Sequence, residues 1–187
     1  MKSPRKPRKP AVPVNADLQL LLAREIEFGG ELYLLRPLGS ADEDRIRAFF
    51  YSHTQETIQQ RYGYHLTEMS RERAYQLVNV VQTRDLALGI FERALGDEIL
   101  HAIGRYICDP DGAGAEVAFV VGETKRRLGM ATTLLHTMIR IARLRGLRKF
   151  HAQVNRDNYE MLGIFRKNGA STQEIPGAEA VQVVIAL

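Results

Sequence analysis

Residues 115–135 read AEVAFVVGETKRRLGMATTLL, and this stretch decides the fold. Its apolar opening, Glu116 to Val121, reads as a buried strand. A short polar turn leads into Arg126-Arg127-Leu128-Gly129-Met130-Ala131, and from Gly129 the apolar period becomes helical, with Leu135, Met138, Ile139 and Ala142 on one face. Arg140, Arg143 and Arg145 gather near the C-terminal end, where cations suit the helix dipole, and Gly146 stops the helix. A helix N-terminus offers four N–H groups without intrahelical acceptors and the positive end of the dipole. Small residues at Gly129 and Ala131 would therefore let a phosphate reach the backbone, and Arg126 and Arg127 add charge. The alternative is a surface turn whose arginines are solvated. Two other phosphate loops are excluded: no Gly-Lys-Ser/Thr follows a glycine-rich turn, and no second spaced glycine completes a dinucleotide fingerprint.

Downstream, Lys149 to Val154 reads as a strand, Asn158 to Lys167 as a helix stopped by Gly169, and Val181 to Leu187 as a final apolar strand. Upstream, strands over Leu86 to Arg93 and Ile99 to Cys108 flank a turn at Gly96-Asp97, the pattern of an antiparallel hairpin. Asp109-Pro110-Asp111-Gly112 is a turn. Arg71 to Val81 is helical in period. Gly29-Gly30 separates residues 17–27, a short helix or an extended lead-in, from a first strand over 31–38. Ser40 and Glu43 have capping-box spacing ahead of a helix with Ile46, Phe49 and Phe50 on its apolar face. An antiparallel meander that runs into a strand-helix-strand unit predicts a mixed α/β sheet in one domain, without internal repeats.

The 187 residues are 45% hydrophobic and 26% charged, as in a soluble globular domain that removes roughly 70% of its unfolded surface from water. A single cysteine, Cys108, excludes a disulfide framework and any multi-cysteine zinc site. No apolar run reaches the length of a membrane span, so a cytoplasmic protein without a membrane partner is expected. The net charge of +4 is concentrated at one end. Five of the 26 basic residues lie in residues 1–10 without an acid, leaving 21 bases against 22 acids in the rest. With four prolines and five cations, residues 1–14 are expected to form a disordered arm, and residues 15–30 a lead-in. The arm reads as a solubilising tail or as a segment for polyanions. No basic, aromatic-laced surface follows it, which favours the tail, and a nucleic-acid partner is not expected.

Arg126-x-x-Gly129-x-Ala131 after a strand resembles the Gln/Arg-x-x-Gly-x-Gly/Ala motif of the GNAT superfamily of N-acetyltransferases, whose loop binds the pyrophosphate of coenzyme A. Residues 155–170, NRDNYEMLGIFRKNGA, are similar to that family's second coenzyme-contacting segment, with Asn158 at its asparagine position. Residues 52–92 resemble the region before the meander in bacterial Pat-type protein lysine acetyltransferases. The resemblance covers residues 31–187 and implies a GNAT-type domain in which the strands at 116–121 and 149–154 run parallel and splay apart, flanked by helices. It implies acetyl-CoA as co-substrate, without a metal. The pyrophosphate would lie on Arg126, Arg127, Leu128, Gly129, Met130 and Ala131, the pantetheine amides on the backbone near Val120 and Val121, and further contacts would come from Asn158 and Phe165.

The resemblance also gives Glu116 the role of base, because lysine-acetylating branches carry Ala-Glu at the start of this strand and Ala115-Glu116 stands there. An amine with a pKa near 10.4 is about 99.9% protonated at neutral pH and attacks a thioester only after losing a proton. A carboxylate buried in an apolar strand would take that proton directly or through a water. The alternative is a strand-end glutamate facing solvent. Phe165 departs from the pattern, since many members place there a tyrosine that protonates the leaving thiolate. Tyr159, Tyr106 or water would then serve, or no acid is needed. The implied acceptor is a primary amine, first a protein lysine. A small-molecule amine is the alternative, as is a non-catalytic acyl-CoA-binding module. Arg61, Tyr62 and Tyr64 either shape the acceptor groove or pack as aromatic core. The five histidines, His53, His65, His101, His136 and His151, lack metal-ligand spacing, and Cys108 reads as a buried inert thiol. Oligomeric state is left open.

Overall fold

The computed structural model describes residues 21–62, 66–94 and 96–187. The expected arm, Tyr64 and His65 lie outside the described residues, as does the side chain of Tyr62. Strands β1 (Arg24–Phe28) and β2 (Glu31–Pro37) precede three helices, α1 (Glu43–Tyr51), α2 (Gln55–Tyr62) and α3 (Arg71–Val78). Then follow β3 (Leu86–Ala94), β4 (Asp97–Cys108), β5 (Gly114–Val121), α4 (Met130–Leu144), β6 (Lys149–Asn155), α5 (Tyr159–Lys167), β7 (Ser171–Glu174) and β8 (Ala180–Ala186). They form one mixed sheet in the order β1-β2-β3-β4-β5-β6-β8-β7, antiparallel throughout except for the β5–β6 pair.

Strand alternation divides the core into two layers. Ala115, Val117 and Phe119 of β5 and Phe150, Ala152 and Val154 of β6 face α4 and α5, whose Leu134, Leu135, Met138, Leu162 and Phe165 are buried against them. On the opposite face Val120, Ala87, Phe91 and Ile103 meet Ile46, Phe49 and Phe50 of α1, Ile58 of α2, and Ala74 and Val78 of α3. Each of the larger of these side chains, the valines, leucines, isoleucines, phenylalanines and methionine, contributes about 1.5–3 kcal/mol when fully buried, from removal of apolar surface. Both C-terminal helices end as their sequences predict. Leu147 N–H donates to the Ala142 carbonyl and Gly146 N–H to Arg143, and Ala170 and Gly169 repeat the pattern on Phe165 and Arg166. Gly146 and Gly169 take the left-handed φ that this Schellman cap requires.

Of the two readings of the lead-in, the extended one holds for Arg24–Phe28, which form strand β1 and pair with β2 through the Gly29-Gly30 turn. The expected Ser40/Glu43 capping box is not formed, because a 3-10 turn at Ser40–Asp42 shifts the cap back to Gly39. There Asp42 Oδ2 accepts the Gly39 N–H at 3.0 Å. Asp42 is held in that position by two hydrogen bonds from Arg36, at 2.7 and 2.8 Å. Polar residues 171–174 add an edge strand, β7, and residues 55–62 form the helix α2.

Cys108 is buried, with its thiol 3.1 Å from the Arg84 carbonyl oxygen, and burial with the nearby Asp85 pushes the thiol pKa up. Alkylation by iodoacetamide at pH 7.5 is therefore expected to be at least about 100-fold slower in the native protein than in denaturant. Comparable rates would place the thiol at the surface. Among the described residues no helix is long and apolar enough to cross a membrane.

Candidate active site

The β5–β6 ladder consists of Gly114↔Lys149, Ala115↔Phe150 and Glu116↔His151, where it ends. β5 stays paired with β4 as far as Val121, and β6 with β8 as far as Asn155, so beyond Glu116 the two strands part. The gap is a cavity of about 640 Å³, walled by Val117 to Val121 on one side and Ala152 to Asn155 on the other. Strand backbone that borders a gap offers N–H and C=O groups to an extended amide-bearing ligand.

The N-terminus of α4 forms one end of this cavity. Arg127 adopts φ 62°, the only left-handed non-glycine among the described residues, and Gly129 follows at φ 93°. These two reversals turn the chain into α4 without a capping side chain, so its first-turn amides have no side-chain acceptor, and Met130, Ala131 and Thr132 line the cavity. The first turn holds no acid, and Arg126 and Arg127 line the same space. A phosphate-sized anion suits this combination of donors, dipole and cations. Within this loop the Leu128 side chain points away from the anion site. Its side chain is exposed and does not border the cavity; Cδ2 lies 3.5 Å from where a Cβ on Gly29 would sit.

Asn158 borders the cavity from the start of α5, where its Oδ1 accepts the Met161 N–H at 3.1 Å. With that oxygen engaged, its Nδ2 donors are what it offers a ligand. Phe165 is buried yet forms part of the wall, its ring centroid 5.5 Å from that of Phe119. Neither expected substitute acid borders the cavity. Tyr106 is buried in the core, where it accepts a hydrogen bond from Arg145 at 2.6 Å and desolvation raises its pKa, and Tyr159 is exposed.

Glu116 borders the cavity where the ladder ends, but it is exposed, against the expectation of a buried carboxylate. Along its face of β5, burial declines from Val120 through Ala118 to Glu116, because the α1–α3 layer covers only the upper end of the strand. Its register neighbour His151 holds Asp109 through Nε2 at 2.8 Å, His101 holds Glu92 likewise, and His136 meets Asn168 at 2.6 Å. Among the described residues no three His, Cys, Asp or Glu gather as a metal site.

Helix α2 closes another side of the cavity with Thr57, Gln60 and Arg61. Arg61 is one of the residues the sequence offers for the acceptor groove, whereas nothing marks Thr57 or Gln60, because the residues that hold the helix lie far along the chain. Arg126 Nη2 donates to Thr57 Oγ1 at 2.6 Å, so this arginine is turned towards α2. On the other side of the loop, Lys125 Nζ donates to the Tyr33 hydroxyl at 2.7 Å and bridges Glu31 and Glu92. His53, just before α2, is enclosed against Phe49 with Nδ1 3.3 Å from Glu123 Oε2.

Burial holds the His53 imidazole below its ordinary range, Glu123 pulling it up and Arg126 pushing it down. A histidine kept neutral in the fold but free to bind a proton when unfolded withdraws stability as pH falls below about 6.5, by up to about 1.4 kcal/mol per pH unit. Urea titrations at pH 7 and pH 5 are expected to show this loss. His53→Gln should remove part of it, since His101 is also held down by burial. An unchanged pH dependence in the variant would contradict the assignment.

The geometry has counterparts. In fold the chain is similar to the GNAT domain of S. lividans PAT, with a TM-score of 0.79 at 22% identity over 88% of this chain and 97% of that one. PaiA N-acetyltransferase from Thermoplasma acidophilum, solved with coenzyme A, gives 0.65 at 17% identity over 83% of this chain and 99% of its own. A cAMP-binding acyltransferase from Mycobacterium smegmatis gives 0.60 at 25% identity over 88% of this chain, which spans 47% of that protein. Residues 33–171, well over half of the sequence, match the family model described as Acetyltransferase (GNAT) domain. With its splayed strands opening at a helix N-terminus, the chain belongs to the GNAT acetyltransferase family.

Proposed function

We propose that the protein transfers an acetyl group from acetyl-CoA to a primary amine, with a protein lysine as the acceptor. The observation that supports this reading is the early end of the β5–β6 ladder, beside which Gly129 and Glu116 are both among the residues that line one cavity. Acetyl-CoA supplies an acetyl thioester whose carbonyl carbon the amine attacks. The amides of Arg127 to Ala131 hold the pyrophosphate, the backbone near Val120 and Val121 pairs with the pantetheine amides, and Asn158 and Phe165 bound the arm. Backbone N–H groups of β5 polarise the carbonyl, as donors fixed before charge develops. Glu116 accepts the amine proton, directly or through a water, so that the nitrogen lone pair is free. No tyrosine hydroxyl among the described side chains, which do not include that of Tyr62, borders the cavity, which supports water as the proton source for the departing thiolate.

The lysine reading is supported by the resemblance of residues 52–92 to Pat-type enzymes and by the fold shared with the S. lividans PAT domain. Incubation with acetyl-labelled acetyl-CoA and a cell lysate tests it. Label is expected in the protein fraction at lysine. Label confined to small molecules would replace the acceptor and leave acetyl transfer standing, whereas binding without transfer would identify a non-catalytic acyl-CoA module.

A further inference from the structure

The 3-10 turn Glu123–Lys125 connects β5 to the α4 loop, and its first residue fastens a helix 60 to 70 positions away in sequence. Glu123 Oε1 accepts the Thr54 backbone N–H at 2.8 Å and the Thr54 hydroxyl at 3.0 Å. Thr54 is in turn the cap of α2: its Oγ1 accepts the Thr57 N–H at 3.3 Å, and its carbonyl accepts the Ile58 N–H. The Thr54 and Thr57 hydroxyl oxygens lie 3.2 Å apart, and Thr57 receives Arg126, whose Nη2 is 3.9 Å from Glu123 Oε1. Glu123, Thr54, Thr57 and Arg126 thus form a closed circuit, with His53 against the second carboxylate oxygen. Partial burial opposes the Glu123 charge, yet hydrogen bonds from the Thr54 amide and from the Thr57 and Thr54 hydroxyls bring its pKa down to about 2.

Among the described side chains of helix α2, Thr57 and Ile58 are the buried ones, and its apolar face is narrow. Isolated helices of this length are marginal, so an external cap has a large share in deciding whether α2 is formed and where it lies. The cap residue Thr54 is held by the residue three positions before the proposed coenzyme loop begins, and the lysine of the same turn is anchored to β2 and β3 on the other side of the sheet.

We propose that Glu123 is a positioning residue through which the coenzyme loop sets the wall of the cavity formed by Thr57, Gln60 and Arg61. This rests on the coenzyme site proposed above. Coenzyme bound at the loop then stabilises α2 although most of the helix lies off the anion site, because loop and helix share the circuit.

Hydrogen–deuterium exchange of the amides at 55–62, with and without coenzyme A, tests this beside calorimetric affinities for coenzyme A. In the wild type, coenzyme A is expected to slow α2 exchange at least fivefold. In Glu123→Ala, α2 should exchange at least tenfold faster and lose the coenzyme-dependent protection, while Kd for coenzyme A stays within threefold. Glu123→Gln, whose amide oxygen still accepts from Thr54, should restore most of the protection. Thr54→Ala should reproduce the defect, and serves if Glu123→Ala does not fold. Wild-type exchange at α2 in Glu123→Ala or Thr54→Ala would overturn the proposal, as would a parallel loss of coenzyme affinity beyond tenfold. Absence of coenzyme A binding by the wild type would overturn the coenzyme site and this inference together, whereas normal binding with unchanged α2 exchange would overturn this inference alone.

Discussion

Glu116→Gln is expected to lower kcat by about 10²- to 10⁴-fold, the range for removal of a positioned general base, while acetyl-CoA affinity stays within about threefold. The substitution keeps the shape and removes the proton-accepting carboxylate. Glu116 is exposed on the cavity wall, so glutamine disturbs no buried partner and the fold should be unaffected. Because the lost interaction belongs to the transition state, kcat and kcat/KM for the amine should fall together. A variant with the wild-type rate would remove Glu116 from the mechanism and point to a base elsewhere on the wall.

The second large effect concerns binding. Acetyl-CoA at 100 times Kd should stabilise the native state by about 2.7 kcal/mol, or about 5–10 °C in Tm for a chain of this size. Gly129→Glu is expected to abolish that shift. A Cβ at Gly129 meets no atom within 4 Å, so the substitution does not clash inside the fold, but it brings a carboxylate to the helix end that is to hold a phosphate. Its left-handed φ of 93° adds strain of roughly 1–2 kcal/mol for any side chain. Gly129→Ala separates the two contributions: it carries the strain without the charge, so its Tm should fall while the acetyl-CoA shift survives. A full shift in Gly129→Glu would place the coenzyme phosphates elsewhere.

Local signals along the chain carried much of the architecture. The burial of β5, the helical period from Gly129 and the glycine stops after α4 and α5 were readable because each depends on neighbours in sequence, while the splayed parallel pair was implied by the family resemblance and not by any local signal. What was hidden depends on distant partners. Asp42 caps the turn before α1 because Arg36, itself engaged by Glu98, donates to it there, and no spacing rule contains that chain of contacts. The α2 helix is mostly polar, and its cap residue Thr54 is held by Glu123, 69 residues further along the chain. Strand β7 is exposed at all four positions and lacks any alternation to reveal it. The exposure of Glu116 follows from where the helical layer stops above the sheet. Arg126 was legible as a cation beside the loop, but its hydrogen bond to Thr57 was not.

Acetyl transfer through this cavity is tested most directly by counting coenzyme A thiol released from acetyl-CoA against acetylated amine formed, with the protein and small-molecule fractions of a lysate supplied separately. The account predicts one thiol per acetylated amine, dependent on an acceptor fraction and lost in Glu116→Gln. Acetyl-CoA that binds and raises Tm, yet releases no thiol above background with either fraction, would contradict it.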